Sequence, residues 1–393
     1  MAVSNWDFMV IGAGVIGVSI ARELRRRHRT TVVVIEKEPS AGQHASGRNS
    51  GVLHAGVYYK AGSLKARLCI EGNRRMREYC RMKGIPLNDN GKVIVARTVT
   101  ELSGLRELHA RSMANGVRVD LIDTQTLKDI EPCAKTMEHA LYVRDTAVVN
   151  PQRVMEALVA DAVQEGVEFR FDCAWRAPEG QGVANTSQGR MAYGHVVNCA
   201  GLYADKIAHQ FDVGRQYRIL PFRGQFYRLR PESQVKVRGN IYPVPDLRNP
   251  FLGVHFTCRP EGEVTVGPSA LPLLGREQYR GLAGANASDG LAMIMYLLRL
   301  FGRNRDHFRS IALRELAKIS RSGFYREAEG LAEGFEPGDL LSGKEPGIRA
   351  QLVDTRKAEL LSDFAIEPGL RSTHVLNAVS PAFTSSAPFA DHV

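Results

Sequence analysis

Phe8-Met9-Val10-Ile11-Gly12-Ala13-Gly14-Val15-Ile16-Gly17, continued by Val32-Val33-Val34-Ile35-Glu36, decides the fold of this chain. An apolar run, a glycine turn, a helix with Ile20 and Leu24 at helical spacing, a second apolar run and an acidic stop fit into 30 residues, from Asp7 to Glu36. Together they predict a dinucleotide-binding βαβ unit. Gly12 serves the tight turn off the strand, Gly14 admits a pyrophosphate close to the backbone, and Gly17 lets the helix pack down on the sheet. The helix start turns N–H groups and the positive dipole end toward the phosphates. Glu36 lies nineteen residues past Gly17, where a carboxylate accepts from ribose hydroxyls and disfavours a 2′-phosphate, so NADP is not expected.

With 393 residues, 44% hydrophobic and 24% charged, the chain has the size for two globular domains. Six scattered cysteines form neither a C-x-x-C pair nor a zinc-type Cys/His cluster, so reduced thiols of a cytoplasmic protein and no metal site are expected. No apolar run reaches the roughly 20 residues of a membrane span, which leaves a soluble protein or one attached peripherally to the inner face of a membrane. The net charge of +10 suits an anionic substrate, an anionic membrane surface or nucleic acid. Its densest cluster, Arg25-Arg26-Arg27-His28-Arg29, sits where cations oppose a helix dipole. No aromatic-interleaved basic stripe accompanies it, so no nucleic-acid partner is expected.

A helix over 63–82, a strand at 92–96, a helix over 101–114 and a helix from Asn150-Pro151 to about 165 follow the loop 41–59. Strands return at 167–171 and 195–199, and a helix follows at 202–211. From 217 to 266 the pattern is of strands broken by Pro, Gly and Asn, including 224–229, 251–256 and 263–266, which predicts an antiparallel sheet. Residues 287–334 read as helical, and the end of the chain as short strands and turns. The predicted class is α/β plus α+β: a Rossmann-like FAD-binding domain of residues 1–84, 143–213 and 345–393, and an antiparallel-sheet substrate domain of residues 85–142 and 214–344. A chain that leaves its nucleotide domain and returns to it suits a flavoprotein, whose isoalloxazine ring has to be enclosed by later segments.

The loop His44-Ala45-Ser46-Gly47-Arg48-Asn49-Ser50-Gly51-Val52-Leu53-His54-Ala55-Gly56-Val57-Tyr58-Tyr59, joined to Lys60-Ala61-Gly62-Ser63-Leu64-Lys65-Ala66, resembles the flavin-contacting segment of L-2-hydroxyglutarate dehydrogenases and oxidases. These enzymes belong to the D-amino-acid-oxidase-like superfamily. The likeness continues at Cys199-Ala200-Gly201-Leu202-Tyr203-Ala204-Asp205, Pro221-Phe222-Arg223-Gly224 and Pro250-Phe251-Leu252-Gly253-Val254-His255-Phe256-Thr257. Val266-Gly267-Pro268, Gly347-Ile348-Arg349-Ala350-Gln351 and Asn377-Ala378-Val379-Ser380-Pro381-Ala382 complete it.

The resemblance implies an FAD enzyme that oxidises L-2-hydroxyglutarate to 2-oxoglutarate and passes electrons to a quinone or another acceptor. It adds Lys37, Ser46, Asn49, Ser50, Gly51, Ala200, Gly201 and Gly347 to the cofactor set of Gly12, Gly14, Gly17 and Glu36. The segment Ser380-Pro381-Ala382 is expected to offer the backbone N–H groups of its non-proline residues to the flavin near a helix start, and the serine also to cap that helix. A dicarboxylate needs fixed cations, and arginine offers a planar fork: Arg349 is expected at the α-carboxylate, with Arg223 and Lys65 at the distal one and Tyr59 in the same substrate-binding set. His255 is expected to take the hydroxyl proton, with His54 orienting the hydroxyl or polarising the flavin ring. His44 is a further candidate for flavin contact. A glycerol-3-phosphate dehydrogenase or amine oxidase of the same superfamily, a flavin-dependent tRNA-modifying protein, and a membrane-surface redox subunit stay open as alternatives.

Overall fold

In the computed structural model, which describes residues 5–180, 182–246, 252–281, 283–343 and 346–393, the opening motif folds as its spacing requires. β1 (Asn5–Ile11) runs into α1 (Val15–His28) and the chain returns as β2 (Val32–Ile35), with Phe8 to Ile11 paired in parallel to Val32 to Ile35. All of β2 is buried, the mark of a parallel strand covered on both faces. Glu168–Arg170 lies parallel beyond β2, and Gly189–Asn198 lies parallel on the other side of β1. Ser372–Asn377 pairs in parallel with the end of that strand at 196–198. α1 is fixed by Arg22, which reaches Asp161 at 3.0 Å and Glu165 at 2.7 Å, on and just after the helix Pro151–Gln164. The basic cluster at its end is tied down locally: Arg25 donates to the Glu165 carbonyl at 3.0 Å, Arg26 meets the Glu165 carboxylate at 2.6 Å, and Arg27 pairs with Glu23.

The chain forms two compact units, Met1–Asn49 with Pro151–Pro221 and Arg349–Val393, and Ser50–Asn150 with Phe222–Ile348. The expected nucleotide domain includes residues 50–84, 143–150 and 345–348, which lie in the second unit, and the expected substrate domain includes 214–221, which lie in the first; the largest of these differences is at 50–84. The cause is pairing: Val52–Leu53 bonds to Leu53's neighbour strand at Ala147 and Val148, which in turn pairs with Leu87–Asn88.

The second unit holds a sheet ordered Leu340–Ser342, Tyr227–Leu229, Val264–Gly267, His255–Cys258, Asn240–Pro243, Lys92–Val95, His139–Val143, Val119–Asp123. It is antiparallel as expected except at one pair, since 92–95 runs parallel to 240–243. The long intervening chain makes that crossover possible. The strand expected at 251–256 starts later, at His255, and Pro250 and Phe251 lie outside the described residues.

Alternation sorts the two faces of this sheet. Val93, Val95, Ile241 and Phe256 join a core with Phe324, Leu331 and Phe335. Fully burying a phenylalanine such as Phe256 contributes roughly 1.5–3 kcal/mol. Ile94 and Tyr242 face the opposite way, into a core with Leu105, Leu108 and Leu141. Lys92 shares that face with Ile94, which pairs with Tyr242. Asn240 pairs with Thr257 and Ile241 with Phe256, so the next step along the ladder sets Tyr242 beside His255. An ammonium, a phenol and an imidazole are thereby aligned across three strands.

Candidate active site

The first unit contains a cradle for a dinucleotide. Gly12 turns with φ +103°, and a Cβ there would meet the Cys199 carbonyl oxygen at 2.6 Å, so the missing side chain is what lets the Cys199-Ala200 segment cross β1. A Cβ on Gly17 would lie 2.0 Å from the Gly12 oxygen, and one on Gly14 would lie 3.1 Å from Ser46 Oγ. Ser46 Oγ accepts the Val15 N–H at 2.9 Å, which pins the loop to the helix start. Glu36 Oε2 accepts the Ala13 N–H at 2.8 Å and Oε1 the Glu38 N–H at 3.0 Å, leaving further lone pairs for ribose hydroxyls. Gly201 adopts φ +52° as it opens a helical turn, with Ala200 N–H held by Asn198 at 3.2 Å. Glycines that a side chain would fill, a helix start whose N-cap residue is glycine and a carboxylate at the end of β2 fit the adenine dinucleotide half of FAD.

The rest of that unit's predicted set divides by task. Asn49 Nδ2 donates to the carbonyls of Ala45 at 3.1 Å and Ser46 at 2.8 Å, and so shapes the loop itself. Lys37 pairs with Glu38, whose carboxylate also meets His44 Nε2 at 3.0 Å, so that imidazole is engaged within the loop. Arg349 donates from Nε to Gln351 Oε1 at 3.1 Å, which orients its fork. Pro381, not Ser380, occupies the cap position of the helix Ala382–His392, and the Ala382 N–H turns back to the Val379 carbonyl at 3.0 Å. The serine-cap reading is therefore corrected.

The second unit brings His54 and His255 into one buried cluster and adds three residues that sequence reasoning missed: Lys92, Tyr58 and Tyr242. Asn73 Nδ2 and the Cys69 thiol, both from the helix Leu64–Met82, donate to the His54 carbonyl at 3.2 and 3.1 Å. The His255 and Tyr242 rings stack with centroids 3.7 Å apart. Lys92, 1% exposed, has its Nζ 4.4 Å from the Tyr58 ring centre and 4.9 Å from that of Tyr242. Two π faces give it cation–π attraction, and its Nζ is buried without a hydrogen-bond partner. Tyr58 Oη and His255 Nε2 are likewise buried and unpartnered.

Geometry assigns the His255 tautomer. Its Nδ1 lies 3.0 Å from the Gly253 carbonyl oxygen, which only accepts, so Nδ1 carries the proton and Nε2 presents a lone pair. Burial, with the Lys92 charge adding to it and the Gly253 carbonyl opposing, holds His255 at about 3. Burial, then Lys92, then His255 hold His54 at about 3 as well. Lys92 is itself lowered by burial to about 7. Both imidazoles are neutral at physiological pH, and a dianion entering here would reverse the field and raise all three.

Lys65 is buried in the first turn of its helix, with Nζ 6.0 Å from the Tyr59 ring centre. Arg223, on the strand Tyr217–Gly224, has its Nε buried without a partner. Ser50 Oγ accepts from Val52 N–H at 3.4 Å and the Gly51 carbonyl from Val149 N–H at 2.9 Å, so both serve the loop. Gly347 opens the strand Gly347–Asp354, and a Cβ on Gly224 would lie 3.8 Å from its oxygen.

Residues 7–332 match the family described as FAD dependent oxidoreductase. Over 408 residues the chain is 36% identical to the mitochondrial L-2-hydroxyglutarate dehydrogenase of Bos taurus, covering 98% of this chain and 86% of that protein. The L-2-hydroxyglutarate dehydrogenase of Escherichia coli strain K12 is 33% identical over 399 residues, 99% of this chain and 92% of that one. Among solved structures, the L-alpha-glycerophosphate oxidase of Mycoplasma pneumoniae with FAD bound superposes with a TM-score of 0.78 at 19% identity, covering 99% and 93% of the two chains. Glycine oxidase from Geobacillus kaustophilus gives 0.73 at 18%, over 98% and 93%. These last two likenesses are of fold.

Proposed function

The chain belongs to the FAD dependent oxidoreductase family and, within it, to the L-2-hydroxyglutarate dehydrogenases, and from that premise we propose that it oxidises L-2-hydroxyglutarate to 2-oxoglutarate. FAD, when bound, supplies the acceptor for the hydride that leaves C2. The cradle of Gly12, Gly14, Gly17 and Glu36 holds its adenosine and pyrophosphate, with Ala200 and Gly201 allowing close approach.

One observation carries the catalytic reading: His255 is fixed by Gly253 with an unpartnered Nε2 lone pair inside the buried cluster that also holds Lys92. That nitrogen takes the proton of the C2 hydroxyl. His54 orients the hydroxyl. Lys92 supplies a desolvated positive charge to the dianion, which restores the proton that burial makes it shed. Arg349 binds the α-carboxylate through its oriented fork, and Arg223 and Lys65, with Tyr59, serve the distal carboxylate. Electrons then pass to a quinone or another electron-transfer acceptor.

Anaerobic addition of L-2-hydroxyglutarate to the pure yellow protein tests this. The visible flavin band should bleach with the L enantiomer, and His255→Asn should slow that bleaching by about 10²–10⁴-fold. Bleaching by glycerol 3-phosphate or sarcosine instead, or a His255→Asn protein as fast as wild type, would reassign the substrate or the base.

A further inference from the structure

The strand Ser372–Asn377, in the parallel sheet of the first unit, carries a histidine that takes no part in the proposed reaction. Side chains alternate along a strand, so Ser372 and His374 share one face. Parallel pairing sets His374 opposite Asn198, the last residue of the strand Gly189–Asn198, and the helix Ala204–Gln210 packs against both strands. Ser372, His374 and Asn198 are all buried, so each polar atom among them needs a partner within the protein.

Asn198 has one possible orientation. Its Oδ1 accepts the Ala200 N–H at 3.2 Å, which turns Nδ2 toward the Ala204 carbonyl at 2.8 Å and His374 Nδ1 at 3.1 Å. Flipping the amide would set NH2 against the Ala200 N–H and oxygen against the Ala204 carbonyl. His374 Nδ1 therefore accepts, and the ring proton sits on Nε2, which donates to Ser372 Oγ at 3.0 Å. Only this neutral tautomer fits, because a proton on Nδ1 would point one N–H at another. The turn that Asn198 holds is the one that crosses Gly12, where the Cys199 N–H donates to the Ile11 carbonyl at 2.9 Å and Gly201 follows with φ +52°.

We propose that His374 is a positioning residue of the cofactor cradle: through Asn198 it holds Ala200 and Gly201 against Gly12, and a proton on its Nδ1 loosens that turn and releases FAD. His195, on the strand that bears Asn198, is a second imidazole, and its Nε2 lies 3.0 Å from Thr373 Oγ1. On the packed helix, the Asp205 carboxylate accepts the Ile219 N–H at 3.0 Å and the Lys206 N–H at 2.9 Å, and His209 Nε2 meets the Gly214 and Tyr217 carbonyls at 3.1 Å and Arg218 at 3.0 Å. Glu367 pairs with His374 across the strand Ala365–Gly369 and is half-buried. Burial, with His195 adding to it, lowers His374 from 6.5 to about 4. The cradle therefore keeps its full grip above about pH 6.5 and loses it as pH falls toward 4. The inference rests on the reading of Ala200 and Gly201 as cofactor residues and is independent of the substrate.

The FAD dissociation constant of the purified holoprotein, measured by ultrafiltration between about pH 8 and pH 5, tests it. Wild type should weaken by up to about tenfold per pH unit below 6.5. His374→Asn places an amide oxygen where Nδ1 lies, so it accepts from Asn198 and does not titrate. It should hold FAD as wild type does at pH 8 and lack the part of the acid release that belongs to His374. His374→Leu leaves Asn198 Nδ2 short of an acceptor and should bind FAD roughly tenfold more weakly at every pH. His54 and His255 titrate alike in all three proteins, so the differences between the profiles belong to His374. The proposal falls if His374→Asn releases FAD on acidification as steeply as wild type, a comparison that decides alone if His374→Leu does not fold. It falls also if a folded His374→Leu holds FAD as tightly as wild type. Gly201→Val, strained at φ +52°, separates two ways of failing. FAD lost by Gly201→Val but unaffected in the His374 variants would overturn the role of His374 alone, and FAD kept by all of them would overturn the cofactor assignment of the turn as well.

Discussion

A buried ammonium without a hydrogen-bond partner carries a desolvation cost that an exposed one does not, and Lys92 keeps that cost between two tyrosine rings and close enough to two histidines to depress both. The expense makes sense if an anion completes it. Lys92→Met, close in length and apolar, should therefore raise folding stability while lowering kcat/KM for the dicarboxylate by roughly tenfold to a hundredfold, the worth of one charge-assisted hydrogen bond. Steady-state kinetics beside a denaturation curve checks both directions at once. His54 and His255 were legible in the sequence because they stand inside motifs with glycines and hydroxyls around them. Lys92 was not, because Asn90-Gly91-Lys92 before an apolar run looks like a solvated turn entering a strand. Only the parallel pairing of 92–95 with 240–243 reveals that it points inward, and that pairing joins residues about 150 apart in the chain.

Among elements, the βαβ start is the one most strictly determined by its residues. Its glycines are steric necessities, and Gly17 is the clearest, with backbone rather than a yielding side chain 2.0 Å from where a Cβ would sit. Gly17→Ala should destabilise the first unit by roughly 1–3 kcal/mol and release FAD on gel filtration, because α1 must lift from the sheet. Retention of the yellow colour with unchanged melting would contradict that. The helices announced themselves through periodicity, as at Leu64–Met82, and the parallel strands through continuous apolar runs, as at Val32–Ile35. Two-residue strands such as Val52–Leu53 and Leu87–Asn88 gave no such signal, being too short to show a period. Their pairing is what moved a stretch of chain from one unit to the other.

For the whole molecule, pH dependence follows from groups that burial strips of charge. Lys92 has a folded pKa of about 7 and an unfolded one of 10.5, so between these values the unfolded chain binds the extra proton and stability rises with pH. Wild type should gain on Lys92→Met by up to about 1.4 kcal/mol per pH unit between roughly pH 7 and 8.5. His54 and His255, about 3 when folded against 6.5 unfolded, act in the same direction lower down: stability is lost as pH falls below 6.5 and continues to fall toward 3. Urea titrations of both proteins across that range measure each effect. The first unit is also assembled from three separated stretches, with Ser372–Asn377 in its parallel sheet and Ala382–His392 packed on α1. A nascent chain emerging from the ribosome therefore presents its phosphate-binding loop early and its finished scaffold late. Loading with flavin must wait until residues 349–393 have been made, so a cell short of the vitamin would accumulate full-length, colourless polypeptide rather than stalled fragments.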